Sequence, residues 1–227
     1  MSKLAATRIS LQLPPGAPSE ETDTLVLTFR AHYIDLRVLR SSLSSSPQRV
    51  EVDEGFAGTL THASPAHTRW THVVDSNGSD KLDEGTFTLL PNGDEVEEGL
   101  TEAGGTYREV WRQVPVEAGA PAWFLESTSP SPSTSSSPST KDTRMGEGGE
   151  KVFAARMGLY YLTMGQTGAR GRGYSAQRWQ LEGGAWRRVY KVGGMRLPEP
   201  SEVGEVREGE EVWVGGRGYV VREAYAI

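Results

Sequence analysis

Three histidines follow one another at a spacing that could suggest a metal site. His62, His67 and His72 lie at intervals of five residues. On a strand, residues at an odd interval point to opposite faces, so only a loop could bring the three imidazoles together. Pro65 allows such a loop, but no cysteine or clear carboxylate partner completes a ligand set. We therefore interpret these histidines as surface or loop residues and predict no metal site.

The beginning of segment 75–86 resembles a calcium-binding loop. Asp75, Asn77 and Ser79 offer oxygen atoms at the first three alternate positions of such a loop. The sixth position is Asp80, where the loop requires glycine, and the twelfth is Thr86, where it requires glutamate. A turn between two strands explains this segment better than a calcium site does.

Pairs of adjacent acidic residues raise the question of acid–base catalysis. A glycosidase needs two carboxyl groups that face each other across the substrate. Adjacent residues on a strand point to opposite faces, so this spacing does not bring two carboxyl groups together. We interpret the pairs as solvated turn and edge residues, and we predict no catalytic residue and no enzymatic activity. The pairs are Asp53-Glu54, Asp83-Glu84 and Glu97-Glu98.

A short segment rich in glycine and arginine, residues 168–174, resembles segments that bind nucleic acid. Arg170 and Arg172 lie between glycines, and Tyr174 and Trp179 follow, which could stack on bases. The pattern occurs once, and the pI of about 5.4 argues against strong binding of polyanions. The segment also lacks the ending of a phosphate-binding loop. We predict a loop between strands, no nucleic acid partner and no cofactor.

Aromatic residues on the predicted strands are better candidates for a binding site. In a small barrel, inward aromatic side chains either fill the interior, which is commoner, or line an apolar pocket. Both alternatives place the same residues inside, so both stay open. The candidate ligand-binding residues are Trp70, Tyr107, Trp111, Trp179 and Tyr190, and the ligand would be a small apolar molecule.

The hydrophobic pattern that positions these residues alternates with a period of two, which predicts β-strands. Between residues 33 and 39, Ile34, Leu36 and Val38 share one face, whereas Asp35 and Arg37 share the other. Asn-Gly at 92–93 and glycine pairs at 183–184 and 215–216 predict tight hairpins. No stretch of ten or more residues keeps a helical apolar stripe. Antiparallel meanders follow, and closing them into barrels removes exposed edges.

A run of fourteen serine, threonine and proline residues, 127–140, divides the chain. It has no apolar side chains to offset the entropy of ordering it, so we predict disorder from 127 to 150. We predict one domain over residues 1–118 and a second over 119–227 that contains this insertion. Residues 122–125 would then add a strand to a second barrel that is otherwise short. The alternative is that the insertion links the two domains.

Within this run, three serines directly precede a proline and are candidate phosphorylation sites of proline-directed kinases: Ser129, Ser131 and Ser137. A phosphate group here would change how the flanking parts of the chain dock. The alternative is an inert spacer.

Charge and cysteine content bound the function further. Residues 1–126 carry 10 Lys/Arg and 19 Asp/Glu, whereas residues 127–227 carry 14 and 11. The basic part could dock on the acidic part or on an acidic partner. The chain has no cysteine, which excludes disulfides and favours a reducing compartment. We find neither a signal peptide nor a membrane span, and predict a cytoplasmic protein with the nucleus as a second location.

Several short motifs follow one another along the chain: residues 7–10 (TRIS), 21–27, 35–39 (DLRVL), 83–85, 109–112 (EVWR) and 178–179. In these the chain resembles a fungal family of tandem lipocalin-like proteins named for interaction with a casein-kinase-I-type kinase. The resemblance implies an all-β protein of two antiparallel lipocalin-like, or calycin-type, β-barrels packed in tandem, with no catalytic residues to carry over. The Gly-x-Trp signature of secreted lipocalins is missing, because 56–58 reads Phe-Ala-Gly.

The sequence and this resemblance together favour a non-catalytic intracellular interaction or adaptor protein. Its protein partner would be a kinase of the casein-kinase-I type. The alternative is a binder of a small apolar ligand inside one barrel.

Overall fold

The computed structural model describes residues 5–45, 50–79, 82–128, 149–168 and 172–227. These residues form fifteen β-strands, one short α-helix and one short 3-10 helix. The strands assemble into two antiparallel sheets, of which the first is closed into a barrel. The predicted all-β fold class is confirmed.

The first sheet is a closed barrel of eight strands that follow one another in the order of the chain. The strands are β1 (Ala5–Gln12), β2 (Thr22–Thr28), β3 (His32–Leu39), β4 (Val52–Ser64), β5 (His67–Asp75), β6 (Asp83–Leu89), β7 (Glu95–Leu100) and β8 (Thr106–Gln113). A helix of six residues, α1 (Arg40–Ser45), stands between β3 and β4. β1 pairs with β8 and so closes the barrel.

The second sheet has seven strands in the order β13-β12-β11-β10-β9-β15-β14. They are β9 (Pro121–Ser127), β10 (Glu150–Met157), β11 (Tyr160–Thr167), β12 (Ser175–Glu182), β13 (Ala185–Val192), β14 (Glu211–Val214) and β15 (Arg217–Ala226), with the 3-10 helix at Pro200–Glu202. β9 and β10 are neighbours, with Phe153 opposite Glu126. The serine-rich run of the sequence therefore connects two paired strands of one sheet.

The second sheet has two end strands, β13 and β14, where the sequence suggested a second closed barrel. The connection between these strands packs apolar side chains onto one face of the sheet, among them Met195, Leu197 and Val206. There they meet Trp123 and the fully buried Tyr161, whose hydroxyl donates to the Pro198 carbonyl over 2.8 Å. The chain's own connection thus covers this face.

Strand β3 shows how the barrel and the second sheet share a core. Ile34, Leu36 and Val38 are fully buried and belong to one apolar cluster with Phe124 and Phe153 of the second sheet. The alternate residues of β3 line the interior of the barrel instead. Full burial of one such aliphatic or aromatic side chain contributes about 1.5–3 kcal/mol. The apolar outer wall of the barrel is therefore what attaches it to the second sheet.

Polar contacts cross the same boundary. Arg178 Nη1 on β12 donates to Asp23 Oδ1 on β2 over 2.8 Å. The backbone N–H of Asp75, at the end of β5, donates to Gln166 Oε1 on β11 over 3.2 Å. Both bonds pair polar groups that the shared core would otherwise bury without a partner. They therefore favour one position of the second sheet relative to the barrel.

The two glycine-pair hairpins of the second sheet are present as predicted. Gly183 and Gly184, between β12 and β13, have φ angles of 56° and 83°. Two consecutive positive φ angles define the type I′ turn, whose twist matches that of the flanking strands. Any residue with a Cβ atom would be strained at both positions.

Candidate functional site

The interior of the barrel contains two cavities, one towards each end. The first has a volume of about 550 Å³ and reaches the turn between β4 and β5 at Pro65. The second has a volume of about 520 Å³ and reaches the opposite turn between β7 and β8 at Thr101. Both cavities are lined by Arg37, Phe56, Asp83 and Glu97, which therefore lie between them. The interior is thus a divided lumen with a charged centre.

Aromatic and aliphatic side chains form one part of the wall of the first cavity. Tyr33, Phe56, Leu60 and Trp70 form one apolar cluster inside the barrel. The rings of Trp70 and Phe87 meet edge to face, with centroids 5.8 Å apart. Trp111 of β8 also lines this cavity. Such a wall suits the apolar part of a small molecule.

Two buried polar atoms in the first cavity lack a hydrogen-bond partner among the described residues: Tyr33 Oη and Asp35 Oδ1. The two residues are 3% and 4% exposed and lie two positions apart on β3, so they share one face. Leaving such a group unsatisfied costs about 1–3 kcal/mol. Burial raises the pKa of Asp35, although Arg37 acts in the opposite direction. The pair can donate and accept hydrogen bonds towards a molecule in the cavity.

Arg37 lies at the centre of the lumen and binds three carboxylates. Its Nε and Nη2 donate to Asp35 Oδ2 over 2.9 and 2.8 Å. Its Nη1 donates to Glu54 Oε2 over 2.8 Å and to Glu109 Oε1 over 3.0 Å. Burial alone would lower the pKa of Arg37, but the three carboxylates raise it well above its usual value. Arg37 is therefore a permanent cation whose charge the protein already neutralises.

Glu109 continues this network into the second cavity. Its Oε1 also accepts a bond of 2.5 Å from Nη1 of Arg8, a residue that is only 2% exposed. Arg8 Nε donates to Glu20 Oε2 over 2.7 Å, and its Nη2 donates to the Thr22 hydroxyl over 3.2 Å. Strands β1, β2, β3 and β8 thus meet through one chain of charged hydrogen bonds inside the barrel.

His72 joins strands β5 and β6 on the wall of the second cavity. Nδ1 lies 2.9 Å from Asp75 Oδ2 and Nε2 lies 3.0 Å from Asp83 Oδ2, while the ring stacks on Phe56 at 4.2 Å. Burial lowers the pKa of His72, but hydrogen bonds to the two carboxylates outweigh burial and raise it from 6.5 to about 9. His72 is therefore a cation at neutral pH.

The structure distributes the five predicted ligand-binding residues over both sheets. Trp70 and Trp111 line the first cavity, and Tyr107 lines the second, where its hydroxyl donates to Glu97 Oε1 over 2.8 Å. Tyr190 lies in the core shared by the two sheets, and Trp179 packs beside the cluster on the other face of the second sheet. Only the first three residues therefore belong to the lumen.

The polar residues of the lumen were missed as site candidates. Tyr33, Asp35 and Arg37 project inward from β3, and their shared face was visible in the alternation of the sequence. The signal was available because charged residues at alternate strand positions opposite an apolar face lie together on one side. The three candidate phosphorylation sites Ser129, Ser131 and Ser137 lie outside the described residues.

The described residues of the calcium-like segment and the predicted loop histidines make hydrogen bonds within the protein. Asp75 Oδ1 accepts hydrogen bonds from the backbone N–H groups of Asn77 and Gly78, which is the geometry of a turn. His62 contacts Thr68, and His67 contacts Glu84. In the described part of the chain, no group of three or more histidine, aspartate and glutamate side chains could hold a metal ion.

Over the same described residues, no helix is long and apolar enough to cross a bilayer.

Comparison with known proteins places this architecture in a family. The crystal structure of the uncharacterized protein YLR301w from Saccharomyces cerevisiae is similar, with a TM-score of 0.72, 98% coverage of both chains and 17% sequence identity. At this low identity, the structural similarity shows a common fold alone. No curated protein matches the sequence. The model of the family Protein HRI1 matches residues 4–223. This chain therefore belongs to the HRI1 protein family.

Proposed function

We propose that this protein binds a small molecule in the first cavity of its barrel. The observation that carries the proposal is the pair of buried atoms without a partner, Tyr33 Oη and Asp35 Oδ1. A buried polar group is normally hydrogen-bonded, and a molecule bound in the cavity would supply the partner that these two atoms lack among the described residues.

The size and lining of the cavity support the same proposal. Its volume of about 550 Å³ lies within the range of ligand pockets in proteins, roughly 300–1,000 Å³. Aromatic and aliphatic side chains line it together with charged side chains from β3, β6 and β7. This combination gives a ligand both affinity through burial and orientation through hydrogen bonds.

We propose binding rather than catalysis. Arg37 donates a hydrogen bond to at least one oxygen of each of the carboxylates Asp35, Glu54 and Glu109. A carboxyl pair for hydrolysis needs one group free to donate a proton and another free to attack or activate water. The charged centre of the lumen is organised around an arginine instead.

Blocking the cavity tests the proposal. Leu60→Trp places a larger side chain in the cavity wall, where Leu60 is 4% exposed. Leu89→Trp is the matched control on the exposed surface of β6. We expect calorimetric binding of small aromatic molecules to be lost in the first variant and kept in the second, with both variants folded by circular dichroism. Equal binding by both variants would refute the proposed cavity.

A second proposed function is that of an adaptor with a protein partner, a kinase of the casein-kinase-I type. The family resemblance supports it, and so does Trp213, which is 78% exposed on the end strand β14. Exposed tryptophans often anchor protein interfaces. A pull-down with such a kinase should weaken in Trp213→Ser and not in Leu89→Ser. Capture of no kinase by the unmodified chain would reject this function.

A fungal origin and a cytoplasmic or nuclear location of the protein stay predictions.

A further inference from the structure

We propose that the ligand of the first cavity is an amphipathic organic cation, with an apolar body and a protonated amine. This inference rests on the proposed function and adds the chemical class of the ligand. The amine would donate to Asp35 Oδ1 and contact the Tyr33 hydroxyl, and the apolar body would lie against the aromatic wall.

The charge of the cavity favours a cation. The described residues that line it include four carboxylates and one guanidinium, so the lining carries a formal charge of −3 with His62 neutral. These charged residues are Asp35, Asp83, Glu95, Glu97 and Arg37. In a lumen of low dielectric, such an excess attracts a cation and repels an anion more strongly than it would in water.

The arginine of the cavity does not offer a site for an anion. Arg37 donates hydrogen bonds to Asp35, Glu54 and Glu109, and these bonds use the Nε and both Nη atoms. Because these bonds use four of its five N–H donors, a carboxylate or phosphate ligand that pairs with Arg37 through two bonds would have to displace one of these internal carboxylates. Breaking a buried ion pair in this way is strongly unfavourable. A fatty acid or a phosphate ester therefore fits this lumen poorly.

Two buried atoms, rather than the acidic residues alone, define where the amine would sit. Asp35 Oδ2 is held by Arg37, so Oδ1 is the oxygen that remains for a ligand. Tyr33 Oη lies on the same face of β3, two residues away. An ammonium group has three N–H donors and can satisfy both oxygens at once.

The aromatic wall is also suited to a cation. The guanidinium carbon of Arg37 already lies 5.5 Å from the ring centroid of Trp111 and 5.9 Å from that of Phe56. These distances are typical of cation–π contacts, in which the negative face of the ring attracts the charge. Trp70 adds a further ring to the cavity lining.

A matched series of three probes tests the charge of the ligand. Phenylbutylamine, phenylbutanol and phenylbutyrate share one apolar body and carry a positive, a neutral and a negative head group. We would titrate each into the full chain by calorimetry at neutral pH. We expect the amine to bind at least about tenfold more tightly than the alcohol, and the carboxylate to bind most weakly, as the net negative lining predicts.

Variants locate the effect in the cavity. Asp35→Asn should reduce affinity for the amine about tenfold or more and leave that for the alcohol nearly unchanged. Glu95→Gln removes another lining charge, and serves if Asp35→Asn fails to fold. Glu98→Gln is the control, because Glu98 is exposed and its neighbour Glu97 is the one that lines the cavity.

The outcomes separate this inference from the proposed function. Equal affinity for amine and alcohol, or tighter binding of the carboxylate, overturns the cationic ligand, whereas blocking by Leu60→Trp would still support a small-molecule site. An amine affinity that Glu98→Gln lowers as much as Asp35→Asn also overturns it, since the effect would then come from overall charge. Binding of none of the three probes at millimolar concentration overturns both.

Discussion

His32 Nδ1 lies 2.7 Å from Glu223 Oε1, across the boundary between the barrel and the second sheet. The same carboxylate accepts hydrogen bonds of 2.9 Å from the backbone N–H groups of Arg30 and Ala31. One side chain of β15 therefore accepts hydrogen bonds from two backbone N–H groups of the turn between β2 and β3. Burial raises the pKa of Glu223, but these hydrogen bonds outweigh burial and lower the pKa from 4.5 to about 2.

Replacing this carboxylate should loosen the boundary between the sheets. Glu223→Gln places an amide N–H₂ against a backbone donor, so we expect a loss of about 2–3 kcal/mol in the free energy of unfolding by urea. Because the folded-state pKa is lowered, the carboxylate stabilises the fold above about pH 4.5 and this contribution is lost as the pH falls towards 2. The variant and the parent should therefore converge in acid. Glu205→Gln, on an exposed loop, should change little at any pH.

His72 should show the opposite pH dependence. Its pKa of about 9 lies above its ordinary value of 6.5, so protonation stabilises the fold fully below pH 6.5, and this contribution is lost as the pH rises through 9. We expect His72→Gln to lose up to about 3 kcal/mol at pH 6 and much less at pH 10. Thermal unfolding from pH 6 to 10 measures this difference, and NMR titration of the ring locates the pKa. A ring that titrates near pH 6.5 would contradict the prediction.

Removing the central arginine should be more harmful than removing a surface one. Arg37→Gln leaves Asp35 and Glu54 without their cation, next to Glu109, which keeps only its bond from Arg8; this predicts a loss of about 3–5 kcal/mol. Arg69→Gln is the matched control, because the Arg69 side chain is 52% exposed and pairs with Glu84 at the surface. An exposed pair contributes about 0–1 kcal/mol. Denaturant unfolding of both variants gives the comparison, and equal losses would contradict it.

Gly55 allows the second sheet to approach the barrel wall. A Cβ atom at Gly55 would lie 2.0 Å from the Tyr174 hydroxyl oxygen and 2.7 Å from its Cζ. Gly55→Ala should therefore cost about 1–3 kcal/mol through overpacking. Tyr174→Phe removes the nearest atom, so the same change should cost about half as much in that background.

A double-mutant cycle measures this coupling between Gly55 and Tyr174 from four unfolding curves. Gly194→Ala is the control, because a Cβ atom there meets no other atom within 4 Å. Additive effects of Gly55→Ala and Tyr174→Phe would show that the contact between the two sheets is not the cause.

Local features of the fold were predictable from sequence because they depend on neighbouring residues. The pairs Gly183-Gly184 and Gly215-Gly216 mark the two hairpins of the second sheet, since each turn needs positive φ angles. The alternation in β3 also assigns its residues correctly to two faces. Turn chemistry and the period of two suffice for these results.

Which face of β3 lines the lumen was not predictable in this way. The apolar face points outward because the second sheet covers it, so Asp35 and Arg37 lie inside the barrel. That arrangement depends on contacts between residues more than a hundred positions apart. Trp179 and Tyr190 show the same limit, because the alternation in their strands does not reveal whether the second sheet closes around a lumen, and that sheet has two end strands.

The pairing of β9 with β10 shows where the chain could be cut without separating its two pieces. The ends of these strands, Ser127 and Glu150, lie at the same end of one ladder, in which residues 122–126 pair with residues 153–157. A chain cut within this connection should keep both pieces associated, because β9 stays between β10 and β15. The connection is thus a junction for split-protein complementation, where a reporter domain could be inserted.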